Sequence, residues 1–134
     1  MENKVTTEPF ELATKHLIMP SHLNPNSSIF GGQLLAWLDL DLYVFVAEKV
    51  RCTTMVTVSM EKVYFKNPGY LGEIIEIHGA IKKLRRTSVT VSGMAEAVNP
   101  ENDSRRTIIE CEVTYVSVDK RGRPTPLPKA PVHT

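Results

Sequence analysis

A single uninterrupted apolar segment, residues 31–50, most restricts the folds open to this chain. Its sequence, GGQLLAWLDLDLYVFVAEKV, is rich in leucine and contains no proline, so it predicts an α-helix of about five turns. Apolar side chains fall on nearly every side of that helix. A helix of this kind is buried and does not lie amphipathically on a surface, so the rest of the chain must cover it.

The cover is predicted to be one antiparallel β-sheet, which gives an α+β fold. Along most of the remaining chain, apolar residues alternate with polar ones, the period of two that half-buried antiparallel strands show. Such a sheet has only one covered face, and a second copy of the chain is expected to cover the other, so we predict a dimer. The predicted strands are residues 10–19 before the helix and 53–65, 73–81, 87–97 and 106–118 after it.

The length of 134 residues suits one domain, which we assign to residues 1–134. Residues 1–8 are polar, and residues 121–134 contain four prolines. Proline cannot join a central strand because it lacks the backbone donor. We therefore predict loosely ordered tails over about residues 1–8 and 121–134.

The charge balance excludes some classes of function. With 16 Lys and Arg against 15 Asp and Glu, the net charge is +1, whereas nucleic-acid-binding domains are usually clearly basic. Residues 1–12 have no apolar run typical of a signal peptide. The longest apolar-rich stretch, residues 34–46, contains two aspartates and is too short to cross a bilayer. We expect no nucleic-acid or membrane partner.

The cysteines and histidines indicate neither a disulfide nor a metal site. Cys52 and Cys111 are far apart and lack C-x-x-C spacing, which argues against a structural disulfide and a cysteine zinc site. None of the four histidines shows metal-ligand spacing such as H-x-x-x-H. We expect a reducing, cytoplasmic location, no metal and no bound cofactor.

Asp39 and Asp41 are the most informative residues, because both lie in the middle of the apolar helix. An ionised carboxylate without partners in a core is costly, and the group usually protonates instead. Positions two apart on a helix point about 200° away from each other, so the two aspartates do not form a carboxylate pair. Either each one reaches solvent or a lysine, or one acts as a general base or nucleophile; periodicity does not choose between them.

Gly31 and Gly32 open the same helix. The first N–H groups of a helix have no internal partner and lie at the positive end of its dipole. Glycine would let a ligand oxygen come close to those groups, as an oxyanion hole requires. The alternative is that the two glycines only end the preceding loop.

The segment NPNSSIFGGQLLAWLD, residues 24–39, resembles the signature of hotdog-fold acyl-CoA thioesterases of the YciA and brain acyl-CoA hydrolase type. That signature has an asparagine, a short turn, an aromatic residue or histidine followed by Gly-Gly, and an aspartate two turns into the helix. The segments KVYFKNP at 62–68, Gly72-Glu73 and RTSVTV at 86–91 are also similar to the family. The likeness extends over about residues 10–128.

The resemblance implies a helix wrapped by a five- or six-stranded antiparallel sheet, with subunits joined edge to edge and often a trimer of dimers. It implies hydrolysis of acyl-CoA to free CoA and a carboxylic acid at the dimer interface, where Asn24 of one subunit faces Asp39 of another. Asp39 would activate water or attack directly, and Asn24 would orient the water or the carbonyl. The N–H of Gly32, with that of Gly31, would stabilise the oxyanion. The CoA thiolate needs little acid catalysis, because a thiol has a pKa of about 8.5.

Four positive charges fall within KKLRR, residues 82–86, and suit the phosphates of CoA. The alternative is a solvated hairpin tip whose charge discourages edge pairing. We predict that six residues contact CoA. They are Arg85 and Arg86 of this segment, Thr87 and Ser88 directly after it, and Lys62 and Lys66 before it.

Some positions depart from the family pattern. Leu40, Asp41 and Leu42 stand where small residues are frequent, Arg85-Arg86 replace a common glycine, and Ser27 replaces a frequent loop glycine. These departures leave the acyl preference open. Two other functions stay possible: a hydratase or dehydratase acting on acyl thioesters with His22 as base, and an acyl-CoA-binding protein without catalysis.

Overall fold

The computed structural model describes residues 4–5 and 8–128. Its one long helix, α1 (Gly31–Val50), has the predicted bounds, and the predicted α+β fold is confirmed. A short 3₁₀ turn at Pro20–His22 precedes α1. The described residues contain six strands: β1 (Lys4–Val5), β2 (Glu11–Leu17), β3 (Met55–Phe65), β4 (Ile74–Leu84), β5 (Ser88–Val98) and β6 (Arg105–Ser117).

The strands form one antiparallel sheet in the order β1-β4-β5-β6-β3, and β2 also pairs with β4. β1 pairs with the far end of β4, at Lys83 and Leu84, and β2 with the near end. In the described part of the chain, β3 pairs only with β6. β3 is therefore a long strand at a free edge of the sheet.

The core lies between one side of α1 and the sheet. Leu38 and Leu42 of the helix are fully buried, and Leu42 packs directly onto the backbone of β4 and β5. A Cβ added at Gly79 or Gly93 would lie 2.9 or 2.5 Å from a methyl group of Leu42. The close approach of helix and sheet therefore requires glycine at both positions.

The other side of α1 is not covered within one chain, and here the prediction of a buried helix is wrong. Leu40 is 63% exposed and Val44 is 47% exposed, because one sheet contacts only one side of a helix. Val56 and Val58 of the edge strand β3 are exposed as well. Exposed apolar residues are therefore found both on the uncovered side of the helix and on the free edge strand.

Part of the predicted tails is tied to the sheet. Thr125 donates its N–H to the carbonyl of Ser117, and Leu127 donates to the carbonyl of Arg86. In the N-terminal tail, β1 pairs with β4. Predicted tail residues 1–3, 6–7 and 129–134 lie outside the described residues.

Over residues 4–5 and 8–128, the structure contains no helix that is both long enough and apolar enough to span a membrane.

Candidate active site

The N-terminus of α1 presents two free backbone donors. Phe30 is the N-cap and provides no side-chain hydrogen bond, while its carbonyl accepts the N–H groups of Gln33 and Leu34. Among the described residues, nothing accepts a hydrogen bond from the N–H of Gly31 or Gly32. This end of the helix can therefore donate to an anionic oxygen.

Aromatic rings lie beside both glycines. A Cβ at Gly31 would lie 3.2 Å from the ring of Phe65, and a Cβ at Gly32 would lie 2.5 Å from the ring of Phe30. Both rings are more than half exposed. The nearby rings therefore favour glycine at both positions, in addition to the predicted catalytic role. The two rings also place apolar surface on either side of the free N–H groups.

Asp39 faces the β3 side of the helix and keeps one oxygen free. Thr57 of β3 donates its hydroxyl to Oδ1 of Asp39 at 2.7 Å, and no described residue donates to Oδ2. The side chain is half-buried. A carboxylate oriented through one oxygen and open at the other can accept a proton from water.

Tyr115 of β6 fixes the backbone of Asp39. Its hydroxyl donates to the carbonyl of Asp39 at 2.6 Å, and its ring packs edge-on against Tyr43 at 5.5 Å. Tyr115 is fully buried. Burial raises the pKa of Tyr115 well above its usual range, so its hydroxyl stays protonated and continues to donate.

Asp41 faces the opposite side of α1, toward β2. Its side chain is only 8% exposed, and Oδ2 receives both the hydroxyl of Thr14 at 2.7 Å and Nε2 of His16 at 2.6 Å. The geometry confirms that Asp39 and Asp41 are not a carboxylate pair. The alternative that Asp41 reaches solvent or a lysine is wrong, because β2 covers it and supplies its partners.

The side chain of Asn24 forms hydrogen bonds within its own loop. Oδ1 accepts the N–H groups of Asn26 at 2.8 Å and Ser28 at 3.2 Å, and Nδ2 donates to the hydroxyl of Ser28 at 3.1 Å. No hydrogen bond joins Asn24 to Asp39 within the described chain. Their pairing across two subunits stays a prediction.

His22, the base of the hydratase hypothesis, is part of the packing at the start of the helix. Its Nδ1 accepts the N–H of Met19 at 2.9 Å, and its ring meets Trp37 edge-on at 4.9 Å. Only Nε2 is left to act on a substrate, so this geometry lends the hydratase hypothesis no particular support.

The basic residues 82–86 do not lie together at a hairpin tip, so the hairpin-tip alternative is wrong for residues 82–84. Residues 82–84 belong to β4, because the strand runs past the predicted end at residue 81. Lys82 pairs with Glu112 of β6, and this hydrogen bond holds the pKa of Glu112 below its usual range. Of the five residues 82–86, only Arg85 and Arg86 lie in the turn.

The predicted CoA-contacting residues fall into two groups. Lys62 lies 3.6 Å from Glu112, and Lys66 lies 3.4 Å from Glu110, so β6 already supplies both lysines with a carboxylate. Arg85 and Arg86 have no ion pair with any described residue. They are the basic residues of the predicted set that are free to bind phosphate.

Thr87 and Ser88 follow in the same turn and the start of β5. The carbonyl of Thr87 accepts the N–H of Ser117, and the carbonyl of Ser88 accepts the N–H of Arg85. Ser88 is 7% exposed, whereas Thr87 is half-buried. Of the two side chains, Thr87 is therefore the more accessible to a ligand.

One side-chain cluster has the composition of a cation site. Glu76, His78 and Glu96 place one ligand atom each within 4.8 Å of one another. However, the guanidinium of Arg105 lies 2.8 Å from Glu76 and 3.3 Å from Glu96, so the cluster already has its cation. The expected absence of a metal stays a prediction.

Sequence reasoning missed four residues that hold the aspartates: Thr57, Tyr115, Thr14 and His16. Tyr115 had the alternation of a core residue, and the other three had that of ordinary strand positions. Their partners depend on how each strand lies against the helix, and local sequence carries no signal for that.

The sequence of the chain is similar to those of known acyl-CoA thioesterases. The chain is 29% identical to the acyl-CoA thioester hydrolase YciA of Salmonella typhimurium over 121 residues, covering 88% of this chain and 90% of that protein. It is 26% identical to mouse acyl-coenzyme A thioesterase 11 over 127 residues, but spans only 21% of that longer protein.

Solved structures give the same result. A hexameric hotdog fold thioesterase of Campylobacter jejuni superposes with a TM-score of 0.78 at 34% identity, covering 87% of this chain and 90% of that one. A hexameric thioesterase from Yersinia pestis gives 0.81 at 28% identity, covering 90% and 97%. The sequence profile of the thioesterase superfamily matches residues 26–104, more than half of the chain. The chain therefore belongs to the thioesterase superfamily, and its fold is the hotdog fold.

Proposed function

We propose that this protein hydrolyses acyl-CoA thioesters to free CoA and a carboxylic acid. The observation that carries the proposal is the half-open carboxylate of Asp39, held at Oδ1 by Thr57 and free at Oδ2. Relatives named as acyl-CoA thioester hydrolases support the choice of substrate class.

Asp39 acts as the general base in this proposal. It takes a proton from water as the water oxygen forms a bond to the thioester carbonyl carbon, and the carbonyl becomes an oxyanion. When the C–S bond breaks, CoA leaves as a thiolate, which takes up the proton. Because a thiolate is a good leaving group, no Ser-His-Asp set is required. Direct attack by Asp39 would instead give a transient anhydride that water then cleaves.

The N–H groups of Gly31 and Gly32 stabilise the oxyanion. Both lack partners among the described residues and lie at the positive end of a 20-residue helix. The exposed rings of Phe30 and Phe65 beside them exclude water from the carbonyl, which strengthens each hydrogen bond in a less polar site.

The active unit in this proposal is at least a dimer, and a trimer of dimers is expected. The support is the exposed apolar surface of Leu40, Val44 and β3, together with relatives described as hexameric. Asn24 of one subunit would orient the water or the carbonyl opposite Asp39 of another. The partner-free cations Arg85 and Arg86 would bind CoA phosphates, with Thr87 beside them.

We also propose a reducing, cytoplasmic location. Cys52 and Cys111 are both unpaired and buried, as is usual for proteins of reducing compartments.

The test is release of free thiol from a panel of acyl-CoA esters of increasing chain length, followed with a thiol-reactive dye. The proposal expects turnover of at least one ester by the wild-type protein. Hydration of an enoyl-CoA without thiol release would favour the hydratase alternative. Binding of CoA without turnover of any ester would favour an acyl-CoA-binding protein.

A further inference from the structure

Asp41 is a buried carboxylate that the proposed hydrolysis does not use. Its side chain is 8% exposed, and two donors from β2, Thr14 and His16, converge on the same oxygen. Burial of an ionised group is costly unless its partners are well placed. Packing alone therefore does not explain why a carboxylate occupies this position.

Asp41 is connected through His16 to Trp37, one turn earlier in α1. Nε2 of His16 lies 2.6 Å from Oδ2 of Asp41, which fixes the tilt of the imidazole. The imidazole is stacked on the indole of Trp37, with centroids 4.2 Å apart and planes 3° from parallel. Trp37 is four residues before Asp41, so both lie on the same side of α1.

Trp37 also contacts the segment just before the start of α1, through His22. The edge of His22 meets the indole at 4.9 Å, with planes at 78°. His22 is in turn bonded at both ends: Nδ1 accepts the N–H of Met19, and its carbonyl accepts the N–H of Phe30. Phe30 is the N-cap of α1, directly before the two free N–H groups.

We propose that Asp41 is a positioning residue. Acting through His16, Trp37 and His22, it holds the segment 19–24 and the first turn of α1, and so sets the direction of the Gly31 and Gly32 N–H groups and the place of Asn24. The inference rests on the proposed thioester hydrolysis, since that reaction gives these groups their role.

The expected effect is on kcat. A displacement of catalytic groups by about 1 Å can cost about 100-fold in rate, and a loosened stack should give part of that, about 10-fold. KM should stay within about twofold, because in our proposal Arg85 and Arg86 bind the CoA phosphates away from this stack.

The test uses Asp41→Ala, Trp37→Leu and the double variant in the full-length oligomer. Two conservative variants, Asp41→Asn and Trp37→Phe, keep an acceptor and a ring respectively. Val98→Ala, a core change in β5, is the matched control for lost stability. Each is measured for kcat, KM and hydrogen exchange of peptides covering residues 19–34; Trp37 is the only tryptophan, so its emission reports the stack.

Asp41→Ala and Trp37→Leu are expected to lower kcat about 10-fold and to speed exchange in residues 19–34, with the double variant no worse than either single one. The conservative variants should recover most of the rate, and Val98→Ala should change thermal stability alone. Multiplicative losses of about 100-fold in the double variant would overturn the proposal.

Exchange separates this inference from the proposed function. If the wild type hydrolyses no acyl-CoA, the proposed function fails, but faster exchange in Asp41→Ala and Trp37→Leu would still support the link from Asp41 to the start of the helix. Unchanged exchange in both variants would overturn the positioning role whatever the activity.

Discussion

The two sides of α1 treat an aspartate in opposite ways. On the β3 side, Asp39 is half-buried, accepts one hydroxyl and has a free oxygen. On the β2 side, Asp41 is buried and takes two donors on one oxygen, within a stack of rings that the chain completes by itself. The same residue type, two positions apart, is thus an open group on one side and a closed contact on the other.

The partial exposure and free oxygen of Asp39 are the reasons why our proposal assigns the chemistry to Asp39 and not to the buried Asp41. The β3 side is incomplete in one chain: the helix donors of Gly31 and Gly32 are free, and the apolar residues Leu40 and Val44 are uncovered. The β2 side needs no second copy.

We expect the largest change in activity when two inactive variants are co-expressed and form mixed dimers. Asn24→Ala and Asp39→Ala are each expected to lose most activity, but co-expressed subunits should recover about one quarter of the wild-type rate, because half of the random dimers contain one intact site. The measurement is thiol release by the purified mixture, with an Asn24→Ala/Asp39→Ala protein as control. No recovery would show that the two residues work within one chain.

The threonines give a matched pair for the two sides. Thr57→Val removes the hydroxyl that orients Asp39 and is expected to lower kcat about 10-fold. Thr14→Val removes the corresponding donor to Asp41, where His16 still holds the same oxygen, and should cost about twofold at most. Thr57→Ser should restore the rate. Equal losses at the two threonines would break the contrast between the sides.

Substitutions of Arg85 and Arg86 in the basic turn should weaken substrate binding without altering the environment of Asp39 or Asp41. Arg85→Ala and Arg86→Ala are each expected to raise KM for acyl-CoA about fivefold with kcat nearly constant, since each loses a charge-assisted contact to phosphate. Lys62→Ala and Lys66→Ala should have smaller effects, because glutamates already pair with both lysines. Equal effects on KM at all four positions would show that those pairs open to the substrate.

The smallest effect concerns acid stability. A hydrogen bond from Arg105 holds the pKa of Glu76 below its usual range. A depressed carboxyl pKa adds stability above the unfolded-state value of about 4.3, and this stability is lost as pH falls through the folded-state pKa. Because Arg105 is 41% exposed and solvent screens the pair, Glu76→Gln should cause only a small loss of stability at pH 7.

The pH dependence of unfolding tests this role of Glu76. Denaturant unfolding at pH 7 and pH 3.5 should show a smaller pH dependence for Glu76→Gln than for the wild type. An unchanged pH dependence would mean that Glu76 has the same pKa in the folded and unfolded chain.

The fold was readable from the sequence because its signals are local. The helix is a continuous apolar run that ends at Arg51, which adopts a left-handed backbone, and the strands alternate with period two. Errors came where tertiary packing decides. β4 extends past residue 81, which separates Lys82 from the turn, and one sheet leaves Leu40 uncovered.

The site was only partly predictable for the same reason. Periodicity showed that Asp39 and Asp41 diverge, and family resemblance favoured Asp39. The partners Thr57 and His16 come from strands 18 and 25 residues away along the chain, and which strand side chain meets which helix turn depends on the packing of α1 against the sheet. No local pattern encodes that.

The most direct test of the central claim, that Asp39 drives hydrolysis and Asp41 does not, compares Asp39→Asn with Asp41→Asn in the thiol-release assay on the best substrate of the panel. Both variants keep the shape of the side chain and remove one charge. We predict a fall in kcat of at least about 100-fold for Asp39→Asn and of less than about threefold for Asp41→Asn. A larger loss at Asp41 than at Asp39 would show that Asp39 is not the carboxylate that drives hydrolysis.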